Sequence, residues 1–209
     1  MKNVSILVPE TAVIEAVADP HYMFKAVNYF LQASGKAPLF NVQLVAVHKE
    51  VKLENSLFTV HIDKQLKGVT NTDLVIIPAL SGDMKTALDL NKALVPWILA
   101  QYSNGAEVAS LCIGAFLLAS TGLLNGKKCS THWNSANEFR AMFPAVELVD
   151  GSIISEANGI YSSGGANAYW NLLLYLVEKY TDRDTAILAS KYFAIDFDRK
   201  SQAAFMLFR

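Results

Sequence analysis

The sequence predicts an α/β protein with a mostly parallel β-sheet that is covered by helices on both faces. Three observations lead to this prediction. Short apolar runs of strand length alternate with longer helical patterns along the 209 residues. The best of these short runs are apolar throughout, which is typical of strands buried on both faces. With 52% hydrophobic and 18% charged residues, the chain has enough apolar side chains for one large core.

Strands and helices are predicted in turn along the first half of the chain. The strands cover residues 4–8, 39–48, 58–62 and 73–77, and the helices cover residues 20–33 and 88–102. Pro9 and Pro78 end the first and the last of these strands. Pro20 lies in the first turn of its helix, and Pro96 either starts or kinks the second helix.

The second half continues this alternation. Strands are predicted at residues 108–111, 127–131, 146–149, 153–155 and 160–162, and helices at residues 113–120, 134–142, 166–180 and 182–193. Asn134 is expected to cap its helix. The turn dipeptides Asp150-Gly151 and Asn158-Gly159 separate the last short strands.

Cys112 lies on the predicted turn between a buried strand and a helix. Gly114 and Ala115 leave room for a tight bend, and the partial positive charge of the helix N-terminus favours the thiolate. The same geometry presents serine nucleophiles in other α/β proteins. Cys112 is therefore either a reactive or sensing cysteine or a small buried residue. Ligands of parallel sheets bind beyond the carboxyl ends of the strands, which is where this turn is expected.

Composition argues against several classes of function. Lys plus Arg number 18 and Asp plus Glu 19, so this chain carries no electrostatic signature of nucleic-acid binding. It contains no apolar run of bilayer length, and its first residues lead directly into a strand instead of a signal peptide. The cysteines and histidines show no metal-ligand spacing. We expect one domain over residues 1–209 that is cytoplasmic and binds no membrane, metal or cofactor.

Residues 110–133, SLCIGAFLLASTGLLNGKKCSTHW, resemble the signature of the ThiJ/PfpI superfamily, within the class I glutamine amidotransferase-like fold. More narrowly, they are similar to the amino-terminal domain of AraC-type transcription regulators. In that branch a cysteine elbow leads into a "leucine-alanine … glycine-leucine-leucine" helix and a "threonine-histidine-tryptophan" triplet. Residues 161–180, and their continuation to residue 205, resemble the same branch. The resemblance covers essentially the whole chain and implies a flavodoxin-like three-layer sandwich.

The resemblance also implies a set of site residues. Cys112 corresponds to the nucleophile of the superfamily, and His132 to a histidine that many members place near that sulfur. Backbone N–H groups of Ile113 and around Ala79 and Leu80 would occupy the oxyanion-hole position. His132 is alternatively a structural histidine that is hydrogen-bonded at a strand end.

The acid expected in such a site is missing from its usual position. The resemblance implies an acid four residues before a proline, and here that position holds Ala16. Glu15 is a candidate from the adjacent position and Glu10 another from the end of the first strand, although neighbouring residues point in different directions. Without a positioned acid, Cys112 lacks a partner for proton transfer, which argues against enzymatic turnover.

The resulting interpretation is a ligand-sensing and dimerisation domain of an AraC-type transcriptional regulator, with an unknown small-molecule effector and a homodimeric state. Such regulators continue past a serine-glutamine segment, here Ser201-Gln202, into a helix-turn-helix domain. That DNA-binding domain is expected after residue 209 and is absent from this chain. The alternative is a stand-alone cysteine-dependent enzyme, an amidase, a hydratase or a glyoxalase-like enzyme. Gly164-Gly165, before a predicted helix, either presents N–H groups to an anion or lets the loop pack closely.

Overall fold

The computed structural model describes residues 1–199 and 201–205 and is built around a seven-stranded sheet. The strands of this sheet are β1 (Lys2–Leu7), β2 (Phe40–Ala46), β5 (Lys64–Gln65), β6 (Leu74–Ile77), β7 (Glu107–Ser110), β10 (Ile154–Ala157) and β11 (Ile160–Ser163). They lie in the order β10-β11-β7-β6-β1-β2-β5. The β10–β11 pair is antiparallel, and the other neighbouring pairs are parallel. This order confirms the predicted, mostly parallel sheet.

Shorter strands and the helices complete the fold. The hairpin of β3 (Glu50–Leu53) and β4 (Phe58–His61) and the parallel pair β8 (Lys128–Cys129) and β9 (Glu147–Leu148) lie outside the central sheet. The helices are α1 (Ile14–Ala33), α2 (Met84–Asn91), α3 (Leu94–Ser103), α4 (Ala115–Ser120), α5 (Ala136–Met142), α6 (Tyr169–Tyr180) and α7 (Arg183–Phe193).

The helices cover both faces of the sheet, so the fold has two apolar cores. Because side chains alternate across a strand, β6 contributes to both. Leu74 and Ile76 pack in a core with α1, α6 and α7, whereas Val75 and Ile77 pack in a second core with α2, α3 and α4. All four residues are fully buried. The predicted three-layer arrangement is therefore confirmed.

The predicted start of the first helix is wrong. The helix begins at Ile14 instead of Pro20, and the proline lies inside it. A proline lacks the N–H that would bond to the residue four positions earlier, which is why the sequence indicated a helix start there. The first turns are stabilised by tertiary packing instead, since Ala16 and Val17 are buried in the core beneath α1.

Two further helix predictions need correction. The single helix expected at residues 88–102 is two helices, α2 and α3, and Pro96 lies in the first turn of the second, where no N–H is needed. Asn134 does not cap α5 with its side chain. Its N–H instead donates to His132 Nδ1, at the start of a 3₁₀ turn that precedes the helix. Strands β3 and β5 were not predicted, because each mixes charged and exposed residues without an apolar run.

Candidate functional site

Cys112 lies just beyond the carboxyl end of β7, on a left-handed turn. Its φ of +54° is uncommon for a residue with a side chain, and the 3₁₀ turn Cys112–Gly114 leads directly into α4. The Cys112 N–H donates to the Ser163 hydroxyl at 3.1 Å, and its carbonyl accepts from the Thr131 hydroxyl at 3.2 Å. These bonds from neighbouring segments hold the turn in place.

Gly114 allows this turn to approach the end of β6. A Cβ atom on residue 114 would lie 2.4 Å from the Pro78 carbonyl oxygen and 2.7 Å from that of Ile77, which is too close for any side chain. The requirement is one of space, since the φ of Gly114 is not left-handed. We call the turn Cys112–Gly114 the elbow. It depends on a glycine two residues after the cysteine.

The Cys112 sulfur is buried and is held as a thiol. Cys112 is 6% exposed, and this burial raises the pKa of its thiol to about 11. A hydrogen bond from the Ile113 N–H opposes the upward shift. The Ile113 N–H, at the turn that leads into the helix, favours the thiolate as expected, but burial of the sulfur has the larger effect on its pKa. The helix behind the elbow is only six residues long, and the cost of burying the charge outweighs its effect. Burial therefore favours the protonated thiol.

A carboxyl group that the sequence reasoning missed lies in the same region. Tyr169 is buried in the core that contains Cys112, and its hydroxyl donates to Asp19 Oδ2 at 2.6 Å. Burial raises the pKa of the Tyr169 hydroxyl, and so do the hydrogen bond to Asp19 and the negative charges of Asp19, Glu15 and an ionised Cys112. Burial likewise raises the pKa of Asp19, against the hydrogen bond from Tyr169.

The corrected helix start explains why Asp19 was missed. Because α1 begins at Ile14, Glu15 and Asp19 are four residues apart on one helix and share a face. Ala16, in the expected acid position, is fully buried in the core, whereas the Glu15 side chain is exposed. Glu10 is placed elsewhere, with its carboxylate 3.9 Å from His48 Nε2.

The three predicted backbone positions lie around the elbow. Ala79 and Leu80 follow β6 and pair with the loop before α1, through a bond from the Val13 N–H to the Ala79 carbonyl at 2.9 Å. In this pairing the Ala79 carbonyl accepts a hydrogen bond, whereas the N–H groups of Ala79 and Leu80 do not take part in it. The Ile113 N–H points at the Cys112 sulfur, so it acts on the thiol itself.

His132 borders a cavity of about 280 Å³ near the elbow. The lining consists mostly of polar and small residues: His132, Trp133, Gly165, Ala166, Asn167, Ala168, Arg199 and Gln202. The rings of His132 and Trp133 are 5.5 Å apart. Because His132 Nδ1 accepts from the Asn134 N–H, a neutral ring carries its proton on Nε2, and burial lowers the pKa of this histidine. Cys112 does not line the cavity. It is connected to His132 through Thr131, whose hydroxyl donates to the Cys112 carbonyl and which precedes His132 in the chain.

The described residues offer neither a metal cluster nor a membrane span. In the part of the chain that the structure describes, no group of three His, Cys, Asp or Glu side chains is arranged to hold a metal ion. Within residues 1–199 and 201–205, no helix combines the length and apolar character needed to cross a bilayer.

Comparison with known sequences identifies relatives of this chain. The model of the DJ-1/PfpI family matches residues 17–179. The chain is 27% identical over 135 residues to the HTH-type transcriptional regulator GbdR of Pseudomonas aeruginosa, which is 65% of this chain and 36% of the relative. It is 27% identical over 116 residues to the isonitrile hydratase of Pseudomonas putida, covering 56% and 49% of the two chains. The chain thus spans half the length of these relatives or less.

Solved structures share the fold. A structure from Vibrio parahaemolyticus, described as a transcriptional regulator protein, superposes with a TM-score of 0.80 at 22% identity, over 91% of this chain and 98% of that one. An AraC family transcriptional regulator from Pseudomonas putida superposes with a TM-score of 0.74 at 16% identity, over 92% and 100%. The resemblance that was inferred from residues 110–133 is confirmed by these comparisons together.

Proposed function

Because the chain belongs to the DJ-1/PfpI family, we propose that it is the ligand-sensing and dimerising domain of an AraC-type transcriptional regulator. The observation that carries this proposal is the state of Cys112. A thiol that is 6% exposed and has a pKa of about 11 is a poor nucleophile at neutral pH. In this proposal the family's cysteine position is kept as a structural support next to the site: Cys112 does not line the cavity, but its carbonyl accepts from Thr131, which precedes His132 in the chain.

The cavity beside His132 is the proposed effector site. Its volume of about 280 Å³ suits a small molecule, and its lining offers an imidazole, an indole ring, an amide and a guanidinium. Trp133 supplies an apolar surface, while His132, Asn167 and Arg199 supply polar groups that fix orientation. Such a lining favours a small polar effector over a large apolar one.

The transmission of the signal requires a second copy and a DNA-binding domain. Exposed aromatic side chains on α1 and α7, namely Tyr22, Tyr29 and Tyr192, support a homodimer, because exposed apolar patches mark association surfaces. Contact with DNA is assigned to another domain, since this chain has a net charge of −1 and its regulator relative is named for a helix-turn-helix. In this proposal the protein acts in the cytoplasm.

A cysteine-dependent enzyme is the second candidate. Two observations favour it: the left-handed elbow at Cys112 and the hydrogen bond from the buried Tyr169 hydroxyl to the half-buried Asp19 carboxylate. The similarity to an isonitrile hydratase indicates a hydratase among the possible activities. In such an enzyme the Cys112 sulfur would add to the substrate while the thiol proton passes to the substrate with Asp19 as the carrier, and water would then displace the sulfur and restore the thiol.

A ligand screen with matched cysteine variants separates the two candidates. A panel of small polar and nitrogenous compounds is tested for a rise in melting temperature of the purified protein, and each hit is tested for conversion by mass spectrometry. The regulator proposal predicts a ligand that is bound unchanged, by Cys112→Ala as well as by the parent, and that is lost in Trp133→Ala. Conversion of a hit by the parent and by Cys129→Ala, but not by Cys112→Ala, would establish the enzyme instead.

A further inference from the structure

Gln202 is a buried side chain that reaches the candidate site from the carboxyl-terminal segment. It is 3% exposed, although glutamine is usually a surface residue. Its Oε1 accepts from the Gly165 N–H at 2.6 Å, and its Nε2 donates to the carbonyl oxygens of Thr131 at 3.1 Å and Ser152 at 2.9 Å. The side-chain amide is therefore bonded through its oxygen and through both of its N–H groups.

Gly164 and Gly165 form the seat for this side chain. A Cβ atom on Gly164 would lie 2.3 Å from Gln202 Nε2, and one on Gly165 would lie 2.9 Å from Gln202 Oε1. Neither glycine has a left-handed φ, so the space taken by Gln202 is what favours them, and at Gly165 the His132 ring adds a second contact, with Cδ2 at 3.0 Å from such a Cβ. Of the two interpretations of this glycine pair, close packing is the one that the contact supports.

The backbone of the same segment is also attached. Ser201 forms an antiparallel bridge with Ser152, and the Gln202 N–H donates to the Gly151 carbonyl at 2.8 Å. We call Ser201 and Gln202 the latch. The latch thus joins the turn before β10 to the loop between β11 and α6.

The latch touches both parts of the candidate site. Gln202 lines the cavity together with His132 and Gly165. Thr131, whose carbonyl accepts from Gln202, donates its hydroxyl to the Cys112 carbonyl at 3.2 Å. Two hydrogen bonds therefore connect the carboxyl-terminal segment to the elbow that carries Cys112.

We propose that the latch couples the carboxyl-terminal segment to the ligand cavity and to the Cys112 elbow. A ligand in the cavity contacts the wall formed by His132 and Gly165 and also the wall formed by Gln202, so it binds the closed latch more tightly than the open one. By reciprocity, a change in the position of the segment alters the affinity for the ligand. The regulatory meaning of this coupling rests on the proposed sensing function, whereas the latch itself is testable without any ligand.

Hydrogen exchange of single amides measures whether the latch is closed. In Gln202→Ala the Gly165 N–H loses its acceptor, and we expect it to exchange about tenfold faster or more. Gly164→Ala changes the glycine side of the same contact, because the added Cβ displaces the Gln202 side chain. We expect faster exchange of the Gln202 backbone N–H in this variant. Gln32→Ala, at an exposed glutamine of α1, is the matched control and leaves both amides protected.

The coupling to the elbow is measured as alkylation of Cys112. In a Cys129→Ala background, opening the latch by Gln202→Ala is expected to raise the rate of Cys112 alkylation by iodoacetamide several-fold, since the Thr131 contact is loosened. Gln32→Ala in the same background is expected to leave the rate unchanged.

Three results would overturn the proposal. The first is unchanged protection of the Gly165 amide in Gln202→Ala and of the Gln202 amide in Gly164→Ala. The second is equal acceleration in the amides of β1 and β6, which would make the seat a part of the global core instead of a local latch. The third is an unchanged alkylation rate of Cys112 in Gln202→Ala. Failure of the ligand screen would count against the proposed sensing function and would leave these exchange results as they stand.

Discussion

Cys112 and Cys129 are both buried cysteines with raised thiol pKa values, yet they differ in backbone conformation. Cys129 is fully buried in the short strand β8, and burial raises its pKa to about 12. Cys112 is nearly as buried, with a pKa of about 11, but it is held on a left-handed turn. Backbone in that conformation costs about 1–3 kcal/mol for a residue with a side chain. Only one of the two cysteines thus lies at a strained position.

The difference teaches that Cys112 combines a strained backbone turn with a degree of burial that raises its thiol pKa. Strain of this kind persists where the surrounding structure over-determines it; it is common at binding and catalytic sites but also occurs here at turn residues such as Asn158 and Ala194. Burial nevertheless raises the pKa of the sulfur on the Cys112 turn, as it does for Cys129 in strand β8. The proposed function therefore takes the elbow as a structural support for the cavity that His132 lines. Variants at the two cysteines and around the elbow test this contrast.

The largest effect is expected from filling the space behind the elbow. Gly114→Ala places a Cβ 2.4 Å from the Pro78 carbonyl oxygen, so the turn must move. We expect a loss of about 3 kcal/mol or more in the free energy of unfolding, measured by urea denaturation. Gly68→Ala is the control, because a Cβ there meets no atom within 4 Å, and it is expected to change stability by less than about 0.5 kcal/mol. Equal effects of the two variants would contradict the close approach.

Replacing each cysteine by alanine and by glycine makes the contrast quantitative. Glycine adopts a left-handed φ without cost, so Cys112→Gly is expected to be more stable than Cys112→Ala by about 1 kcal/mol. At Cys129, in a strand, Cys129→Gly is expected to be less stable than Cys129→Ala by about the same amount. Thermal or urea denaturation of the four variants gives the two differences. A pair of differences with the same sign would remove the distinction between the sites.

A smaller effect is expected from the carboxyl group near Cys112. Burial raises the folded-state pKa of Asp19, so the folded protein binds this proton more tightly than the unfolded chain. The stabilisation is complete below the unfolded pKa of about 3.9 and is lost as the pH rises through the folded pKa. The parent protein is therefore expected to lose stability as the pH rises above the unfolded pKa, and Asp19→Asn is expected to remove part of this loss. Urea denaturation between pH 3 and 7 measures the difference.

The phenol partner of Asp19 provides the companion variant. Tyr169→Phe removes the hydrogen bond that opposes the upward shift of the Asp19 pKa. We expect the pH-dependent decline to extend to higher pH in this variant. Identical pH profiles in the parent, Tyr169→Phe and Asp19→Asn would show that Asp19 titrates as an exposed group.

Much of the fold could be predicted from the sequence, because its strongest signals are local. The apolar run 73–77 predicted a buried strand, and β6 consists of four fully buried residues. The start of α1 was predicted wrongly because Pro20 is a local helix breaker, while the packing of Ala16 and Val17 is tertiary. Strand β5 has no local signal, since Lys64 and Gln65 are both exposed.

The site was harder to predict for the same physical reason. A local motif was sufficient to single out Cys112 and the glycine behind it. The raised thiol pKa depends on burial by distant segments, and Asp19 reaches the site through Tyr169, which is far away in the sequence. The seat of Gln202 on Gly164 and Gly165 is likewise a contact between segments that no spacing rule connects. The roles of Cys112, His132 and Glu15 in chemistry remain predictions.

The most direct test of the central claim is the pH dependence of Cys112 alkylation. Cys129→Ala protein, in which Cys112 is the sole cysteine, is treated with iodoacetamide between pH 6 and 10, and the rate is followed by mass spectrometry. With a thiol pKa of about 11, the rate is predicted to rise across the whole range without reaching a plateau. A plateau below pH 8 would mean that Cys112 is a thiolate under cellular conditions. That result would contradict a purely structural role for the elbow and favour the cysteine-dependent enzyme.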